Sequence, residues 1–422
     1  MKILHVAYSL SEQSAAYHLA VSQSMQPGYS VEFLLGRTSL SRFIESRRLN
    51  RNLTTYFGLF LHACDLFLRR SLINGNEVFS MGFRFRLWYW VVEKIIRQAN
   101  PNILHIHWGG YGFFTEKLIG RLIKKTGLAV IVTNHDYNLL TGGCHVPMDC
   151  SEFFKGCFAC PMAKNHFGKR WVKQQCSSKR MAENLAKVTF VSPSRYTKSV
   201  TDQVLPGIKS YLVPNTVGNL YQLGEPLLID RYERYQRFRE LNSGIPTLLV
   251  VGVSITNRHN KGADILERVF SELSKKNILF NLITVGQFID FTVTANHIHF
   301  ERLASDDLIQ QYTIADMCLV PSRYETFSQV TLESIQSGTP VIAFNLTGPA
   351  DIIQDARSGF LVAPFDVQRY CEVIIERLNF KFDNRQIVIS EACEAAVRFS
   401  PQSISSAYHE VYKCSMAEKA IS

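Results

Sequence analysis

No stretch of the chain offers the roughly 18 uninterrupted apolar residues that mark a membrane-crossing helix, so none is expected. The two nearest runs, FGLFLHACDLFL and FRLWYWVVEKII, are broken by Asp65, Glu93 and Lys94. The opening MKILHVAYSLSEQ turns polar after a short apolar run. That run is too short for a signal-peptide core and reads as a first buried strand. Charged residues make up only 19% against 46% apolar, which excludes a disordered chain and fits a globular one. Acidic residues are outnumbered, with 36 Asp and Glu against 46 Lys and Arg, a net charge of +10. This sign favours an anionic partner, and nucleic acid, anionic lipid and phosphorylated substrates all qualify. A cytoplasmic location is expected, with the ten cysteines kept mostly reduced.

At 422 residues the chain exceeds one ordinary core, and two domains are the natural prior. The first half alternates short β-branched runs with helical segments: Lys2–Tyr8, Val31–Leu35, Ile103–His107, Val130–Thr133, Val188–Val191 and Ser210–Val213 read as strands. The alternation pauses over a charged segment, IDRYERYQRFRE, and resumes with TLLVVGV, NLITVG, HIHF, MCLVP, PVIAF and GFLVAP. Such alternation indicates parallel sheets covered on both faces. The expected fold class is α/β, with two doubly wound Rossmann-like domains facing a central cleft. The expected boundaries are 1–216 for an N-terminal domain, 217–245 for a connector and 246–395 for a C-terminal domain. The remaining 396–422 should form a helix packing back towards the N-terminal domain. Ligands of such sheets bind outside the carboxyl ends of the strands.

The stretch SRYETFSQVTLESIQSGTPVIA carries Glu325 in a loop after a strand and Glu333 inside the helix that follows. That helix should run from Ser328 to Ser337 and stop at Gly338. Its first N–H groups lack helical partners and its dipole is positive there, so a phosphate fits that end. Glu333, one turn further on, could accept hydrogen bonds from hydroxyls attached to that phosphate.

The segment PSRYETFSQVTLESIQSGTPVIAFNLTGPADII resembles the signature of family 4 of the retaining glycosyltransferases, enzymes of the GT-B fold. The resemblance rests on Glu325, Glu333, Gly338, Pro340-Val341, Gly348 and Asp351. It implies that Glu333 binds the ribose of a nucleotide-sugar donor and that Glu325 contacts the donor sugar as a catalytic residue. Backbone groups of Phe327, Ser328, Gln329 and Val330 would hold the pyrophosphate. In VVGVSITNRHNKGADIL, Lys261 before Gly262 matches the family's phosphate-binding lysine. Val253-Ser254 stands where the family has an arginine, and Arg258 is the nearest substitute, so Ser254 and Arg258 join the donor set. His135, in VIVTNHDYNLLTGGC, corresponds to a family histidine near the reacting carbon and is the second catalytic candidate. His105 and His107 alternate in ILHIHWGG and read as strand histidines, one inside and one near the cleft rim. The family's glycine pair after the first strand is missing. Ser14, Ala15 and Ala16 occupy the place.

Cys144, Cys150, Cys157 and Cys160 fall within seventeen residues, the last two as C-x-x-C. A structural zinc site is the expectation, with metal-free thiols and a redox pair as alternatives. A similar cysteine-rich loop occurs in a bacterial exopolysaccharide-type subset of the family. No Asp-x-Asp stands at a strand end, so no catalytic metal is expected. From Arg42 to Arg97 the chain carries ten Lys or Arg and four Asp or Glu, interleaved with aromatics. This reads as a surface for anionic lipid in preference to a packed insert or a nucleic-acid patch. The functional expectation is a retaining hexosyltransferase moving sugar from a nucleotide-sugar to a saccharide, lipid-linked acceptor in polysaccharide biosynthesis. It would be peripheral on the inner face of the membrane and bind no nucleic acid. A nucleotide-sugar epimerase of the same fold and a non-catalytic GT-B binding subunit are the alternatives.

Overall fold

The computed structural model describes residues 1–37, 41–74, 79–181, 185–218, 225–253, 259–291, 293–353, 358–379 and 394–421. The chain divides into two compact units, Met1–Asn215 with Ile404–Ser422, and Thr216–Ser403. No helix among the described residues is long and apolar enough to cross a membrane.

The first unit contains strands β1 (Lys2–Ala7), β2 (Ser30–Leu35), β3 (Ile103–Trp108), β4 (Ala129–Thr133), β5 (Val188–Ser192) and β6 (Ser210–Leu212). All pair in parallel, in the order β2-β1-β3-β4-β5-β6. Both β4 and β5 are buried along their whole length, as strands covered on both faces must be. Helix α1 (Ala15–Ser24) follows β1, and Ser14 Oγ caps it by accepting the Tyr17 N–H at 3.3 Å. Serine thus caps the helix at the place where the resemblance implies a glycine pair, and Ala15 and Ala16 pack into the core at 8% and 4% exposure.

The basic, aromatic insert folds as α2 (Arg42–Ser46), α3 (Arg51–Leu72) and α4 (Arg86–Ala99). It docks by close approach: a Cβ on Gly58 of α3 would stand 1.9 Å from the Gly36 carbonyl oxygen at the end of β2. Arg48 is turned inward, its guanidinium donating to the Leu35 carbonyl at 2.9 Å and to Thr55 Oγ1 at 2.6 Å. Asp65 of α3 is fully buried and accepts the Met81 N–H at 2.7 Å. The insert is therefore part packed core and part surface. Helices α5 (Glu116–Thr126), α6 (Glu152–Lys155), α7 (His166–Arg180) and α8 (Arg195–Val204) complete the unit's main run.

The second unit opens with α9 (Glu225–Leu241), inside the segment read as a connector. Its Tyr235 hydroxyl and Arg239 guanidinium both donate to Asp316 Oδ1, at 2.6 and 2.9 Å. Strands β7 (Thr247–Val253), β8 (Asn281–Gly286), β9 (His297–Phe300), β10 (Met317–Val320), β11 (Val341–Phe344) and β12 (Gly359–Val362) follow. They form a second parallel sheet in the order β12-β11-β10-β7-β8-β9. Numbered within the unit this is 6-5-4-1-2-3, the Rossmann order read from its other edge. Helices α10 (Ala263–Lys275), α11 (Ser305–Ile314), α12 (Gln329–Gln336), α13 (Pro349–Ile352) and α14 (Val367–Asn379) cover it. Two apolar layers result, one joining α10 and α14 to the sheet and the other joining α11, α12 and α13. Helix α15 (Pro401–Ile421) ends the chain, and from Ile404 onward it belongs to the first unit.

Candidate active site

In the second unit the strand order turns between β7 and β10, which is where open α/β sheets leave a crevice. Val250, Gly252, Lys261, Ser322, Glu325 and Val330 line a hollow there. Gly262 caps α10 at φ +70°, and a Cβ on it would stand 2.3 Å from the Pro321 carbonyl oxygen. Only glycine lets the start of α10 close on the end of β10 in this way. Lys261 is thereby brought to Glu325, and Nζ donates to Oε1 at 2.7 Å. Arg323 reinforces the junction with two bonds to Asp264, at 2.8 and 2.6 Å. That guanidinium holds the Asp264 carboxyl below its usual range.

The loop carrying Glu325 is pinned from the opposite side. The Gly348 N–H donates to the Glu325 carbonyl at 3.1 Å, and the Glu325 N–H donates to Thr347 Oγ1 at 3.2 Å. A Cβ on Gly348 would stand 2.1 Å from the Phe327 carbonyl oxygen. Phe327 itself is core, 1% exposed and packed on Phe399. Ser328 then takes φ +84°, and its Oγ accepts the Thr331 N–H at 3.4 Å. A left-handed non-glycine residue costs about 1–3 kcal/mol and persists where its surroundings fix it. The helix it opens spans Gln329–Gln336, with Gly338 at φ +79° beyond its end. The Gln329 and Val330 N–H groups stand at the helix start, where no helical carbonyl is available to them.

Glu333 lies on the second turn, 7% exposed, and Oε2 accepts the Tyr312 hydroxyl at 3.0 Å. Burial pushes its carboxyl up to about 7, although the Tyr312 bond pulls the other way. The two glutamates thus differ in kind, one paired to a lysine at the rim and one buried. Ser254 and Arg258 fall outside the described residues.

In the first unit His135 follows β4, with Nε2 3.0 Å from His107 Nδ1. Burial pushes the His135 imidazole down to about 4, against the opposing charge of Asp136. His105 and His107 are both buried, at 0% and 5% exposure. The expectation of one at a rim is corrected, because β3 is a central strand covered by helices. Asp136 Oδ2 meets His145 Nδ1 at 2.5 Å, and His145 Nε2 meets Ser80 Oγ at 2.7 Å. Ser80 and His145 are each 3% exposed, so this Ser–His–Asp line orders the loop after β4 and offers no accessible nucleophile. Sequence reasoning missed it, since its members are 56 and 9 positions from Asp136, as their numbers show.

The four clustered cysteines are not drawn into one ligand set. Among the described residues, the single group of three or more His, Cys, Asp or Glu side chains with ligand atoms mutually within 4.8 Å is His5, His105 and His107. Cys157 and Cys176 of α7 are free thiols, and a hydrogen bond between them, together with burial, pushes the Cys157 thiol up. The same bond, helped by the Arg180 and Lys179 charges, draws the Cys176 thiol down. The physical reason is that α7 packs a fifth cysteine against the loop, which a count within seventeen residues leaves out.

Residues 245–379 match a family model described as Glycosyl transferases group 1. An uncharacterized 41.2 kDa protein in the cps region of Klebsiella pneumoniae is 24% identical over 350 residues, covering 81% of this chain and 85% of that one. A glycosyltransferase from Rickettsia africae has a similar solved structure, with TM-score 0.64, 16% identity and 98% of both chains covered. Anabaena Alr3699/HepE, solved in complex with UDP, gives TM-score 0.62 and 14% identity over 98% of this chain and 100% of that one. At these identities the solved structures establish the fold, the two-unit α/β architecture of GT-B glycosyltransferases.

Proposed function

We propose that the chain is a retaining glycosyltransferase, moving a hexose from a nucleotide-sugar donor to a lipid-linked saccharide acceptor in polysaccharide biosynthesis. The observation that carries this reading is the junction at the strand turn, where the Lys261–Glu325 pair stands beside the start of α12 and Glu333 follows one turn later. The group 1 match over that unit and the cps-region relative support it. UDP in the Anabaena structure supports a nucleoside diphosphate as the donor's leaving group.

Each residue then has a physical task. A diphosphate entering the hollow competes with Glu325 for the Lys261 ammonium and takes the Gln329 and Val330 N–H groups. Lys261 thereby meets the charge that grows on the leaving diphosphate, where stabilisation speeds transfer. Glu325, released from Lys261, accepts from hydroxyls of the donor sugar. Glu333 accepts from the ribose hydroxyls. No metal enters these steps, and the cysteine loop is read as scaffold.

Incubation with a panel of nucleotide sugars and a diphosphate-linked lipid saccharide should yield a glycosylated lipid with the donor's anomeric configuration kept. Release of an epimerised nucleotide sugar without an acceptor would replace this reading with the epimerase. No turnover of any donor would leave a binding subunit.

Glu333 makes donor binding depend on pH. A carboxyl raised from 4.5 to about 7 keeps its proton in the fold longer than in the unfolded chain. Its contribution to stability is therefore full below pH 4.5 and is lost as pH rises through about 7. Ribose hydroxyls prefer the ionised form, so binding has the opposite slope. Affinity for a uridine diphosphate sugar, whose diphosphate does not titrate here, should rise about tenfold from pH 6 to pH 8. Titration calorimetry should show the rise in wild type and not in Glu333→Gln. A flat wild-type profile would remove the ribose role.

Membrane association is proposed from α3. Leu53, Tyr56, Phe60 and Phe67 are exposed by 42%, 66%, 39% and 71%, and their spacing puts them on one helical face. Exposed Arg42, Arg47 and Arg70 lie on or just before that helix. Sedimentation should show binding to anionic vesicles that declines with salt and is lost in Tyr56→Ser/Phe60→Ser/Phe67→Ser. Equal binding to neutral vesicles, or none to either, would contradict it.

A further inference from the structure

The first sheet has a turn of its own. Strand β1 lies between β2 and β3, so the chain leaves β1 on one side and returns on the other. Open α/β sheets leave a crevice outside the carboxyl ends of two such strands. Tyr8 comes directly after β1 and Trp108 ends β3, and the Tyr8 N–H donates to the Trp108 carbonyl at 2.8 Å. Tyr111 follows in the next loop, and His62 reaches the same place from α3. The rings meet there. The centroids of His62 and Tyr111 are 4.2 Å apart, those of Tyr8 and Tyr111 4.9 Å and those of Tyr8 and His62 5.6 Å. Trp108 and Tyr111 are 5.4 Å apart, nearly edge to face. Tyr8 is buried behind the others, while His62, Trp108 and Tyr111 each keep part of their surface exposed.

Three features set this cluster apart from ordinary core packing. Tyr111 takes φ +56°, a backbone conformation that is costly for a bulky side chain and that collects at binding and catalytic sites. Its N–H donates to Ser80 Oγ at 3.1 Å, which holds the loop from behind. His62 Nδ1 is buried without a hydrogen-bond partner among the described residues. A ligand hydroxyl would remove that cost, since a neutral imidazole nitrogen can donate or accept according to its tautomer. Arg37 is exposed and Arg69 partly exposed, and neither guanidinium has an ion pair among the described residues. Both cations face the cluster. Burial lowers the His62 imidazole, and the charges of Arg37 and Arg69 lower it further. Burial raises the Tyr111 phenol, and the charges acting on it are those of Arg69, Asp65, Arg37 and Asp136. The two carboxylates are engaged elsewhere: Asp65 accepts the Met81 and Gly82 N–H groups at 2.7 and 3.2 Å, and Asp136 meets His145.

We propose that Trp108, Tyr111, His62, Arg37 and Arg69 form a binding site in the first unit for a saccharide that carries a phosphate or diphosphate. A sugar ring has an apolar C–H face, which suits the partly exposed aromatic rings. His62 Nδ1 meets a hydroxyl of that sugar. The two guanidiniums take the phosphate by charge-assisted bonds, for which their planar fork is suited. On α3, His62, Asp65 and Arg69 recur at helical spacing on the side opposite Tyr56, Phe60 and Phe67. One helix thus carries the face proposed for lipid and the face proposed for phosphate, which fits a lipid-linked phosphosaccharide. Use of this saccharide as the acceptor of transfer rests on the glycosyltransferase reading. The binding site does not.

A titration of histidine-labelled full-length protein, followed by nuclear magnetic resonance with the His62 ring signal assigned from His62→Gln, tests the site. The 1-phosphates of glucose, galactose and mannose are the probes, and at least one should shift His62 saturably. The matching free sugar and inorganic phosphate should each bind about tenfold more weakly, since each uses only part of the site. Arg37→Ala/Arg69→Ala should weaken the sugar phosphate by about tenfold or more. Tyr111→Gly keeps the left-handed backbone without the ring, so it should fold and bind about fivefold more weakly. The same sugar on farnesyl diphosphate separates the two sources. Tighter binding than the 1-phosphate assigns the site to a lipid-linked saccharide, and equal or weaker binding to a free sugar phosphate. No shift at His62 with any probe, equal binding by inorganic phosphate, or unchanged affinity in the arginine double variant would overturn the site. A His62 shift in a protein that transfers no sugar would keep the site and sink the glycosyltransferase reading. Sugar transfer without any His62 shift would do the reverse.

Discussion

Pairing of β7 with β10 is the constraint on which the candidate site depends. Leu248 and Leu249 stand in register with Met317 and Cys318, although the strands are separated in sequence by two other strands of the same sheet. That adjacency brings the loop before α10 beside the loop before α12, and so Lys261 meets Glu325 across 64 positions. Two glycines then permit contacts that no side chain could share, Gly262 on Pro321 and Gly348 on Phe327. The result is a lysine, a carboxylate and a helix start held together at one crevice.

A second constraint shapes the first unit. Strands covered on both faces leave a polar side chain no water, so each must find a partner or weaken the fold. His5, His105 and His107 meet that demand through one another and through Gln23, Thr133 and Tyr412. Asp316 meets it in the other unit with Tyr235, Arg239 and the Thr247 N–H. The same rule explains Arg48, whose guanidinium is spent on the Leu35 carbonyl and two threonines and is not available to a lipid headgroup.

The strands were legible because continuous apolar runs between helical segments leave little choice of architecture. The helix at Gln329–Gln336 was legible from its serine start and glycine stop. Contacts between distant segments were not. Nothing in the sequence near Lys261 names Glu325 as its partner, and nothing near Cys157 names Cys176. The histidines were half legible. Their period-two spacing in an apolar strand marked a shared face, but the tyrosine bonded to His105 comes from the last helix, some 300 positions away. The basic insert misled in part because a count of charges does not say which arginine turns inward.

The crevice at the turn of the second sheet is proposed to receive a nucleoside diphosphate. A crystal structure of the chain grown with such nucleotides tests it most directly. The diphosphate should lie against Lys261 Nζ and the Gln329 and Val330 N–H groups, with ribose hydroxyls on Glu333 and the Lys261–Glu325 pair opened. A nucleotide held elsewhere with that pair still closed at 2.7 Å, or no nucleotide bound with any base, would contradict it.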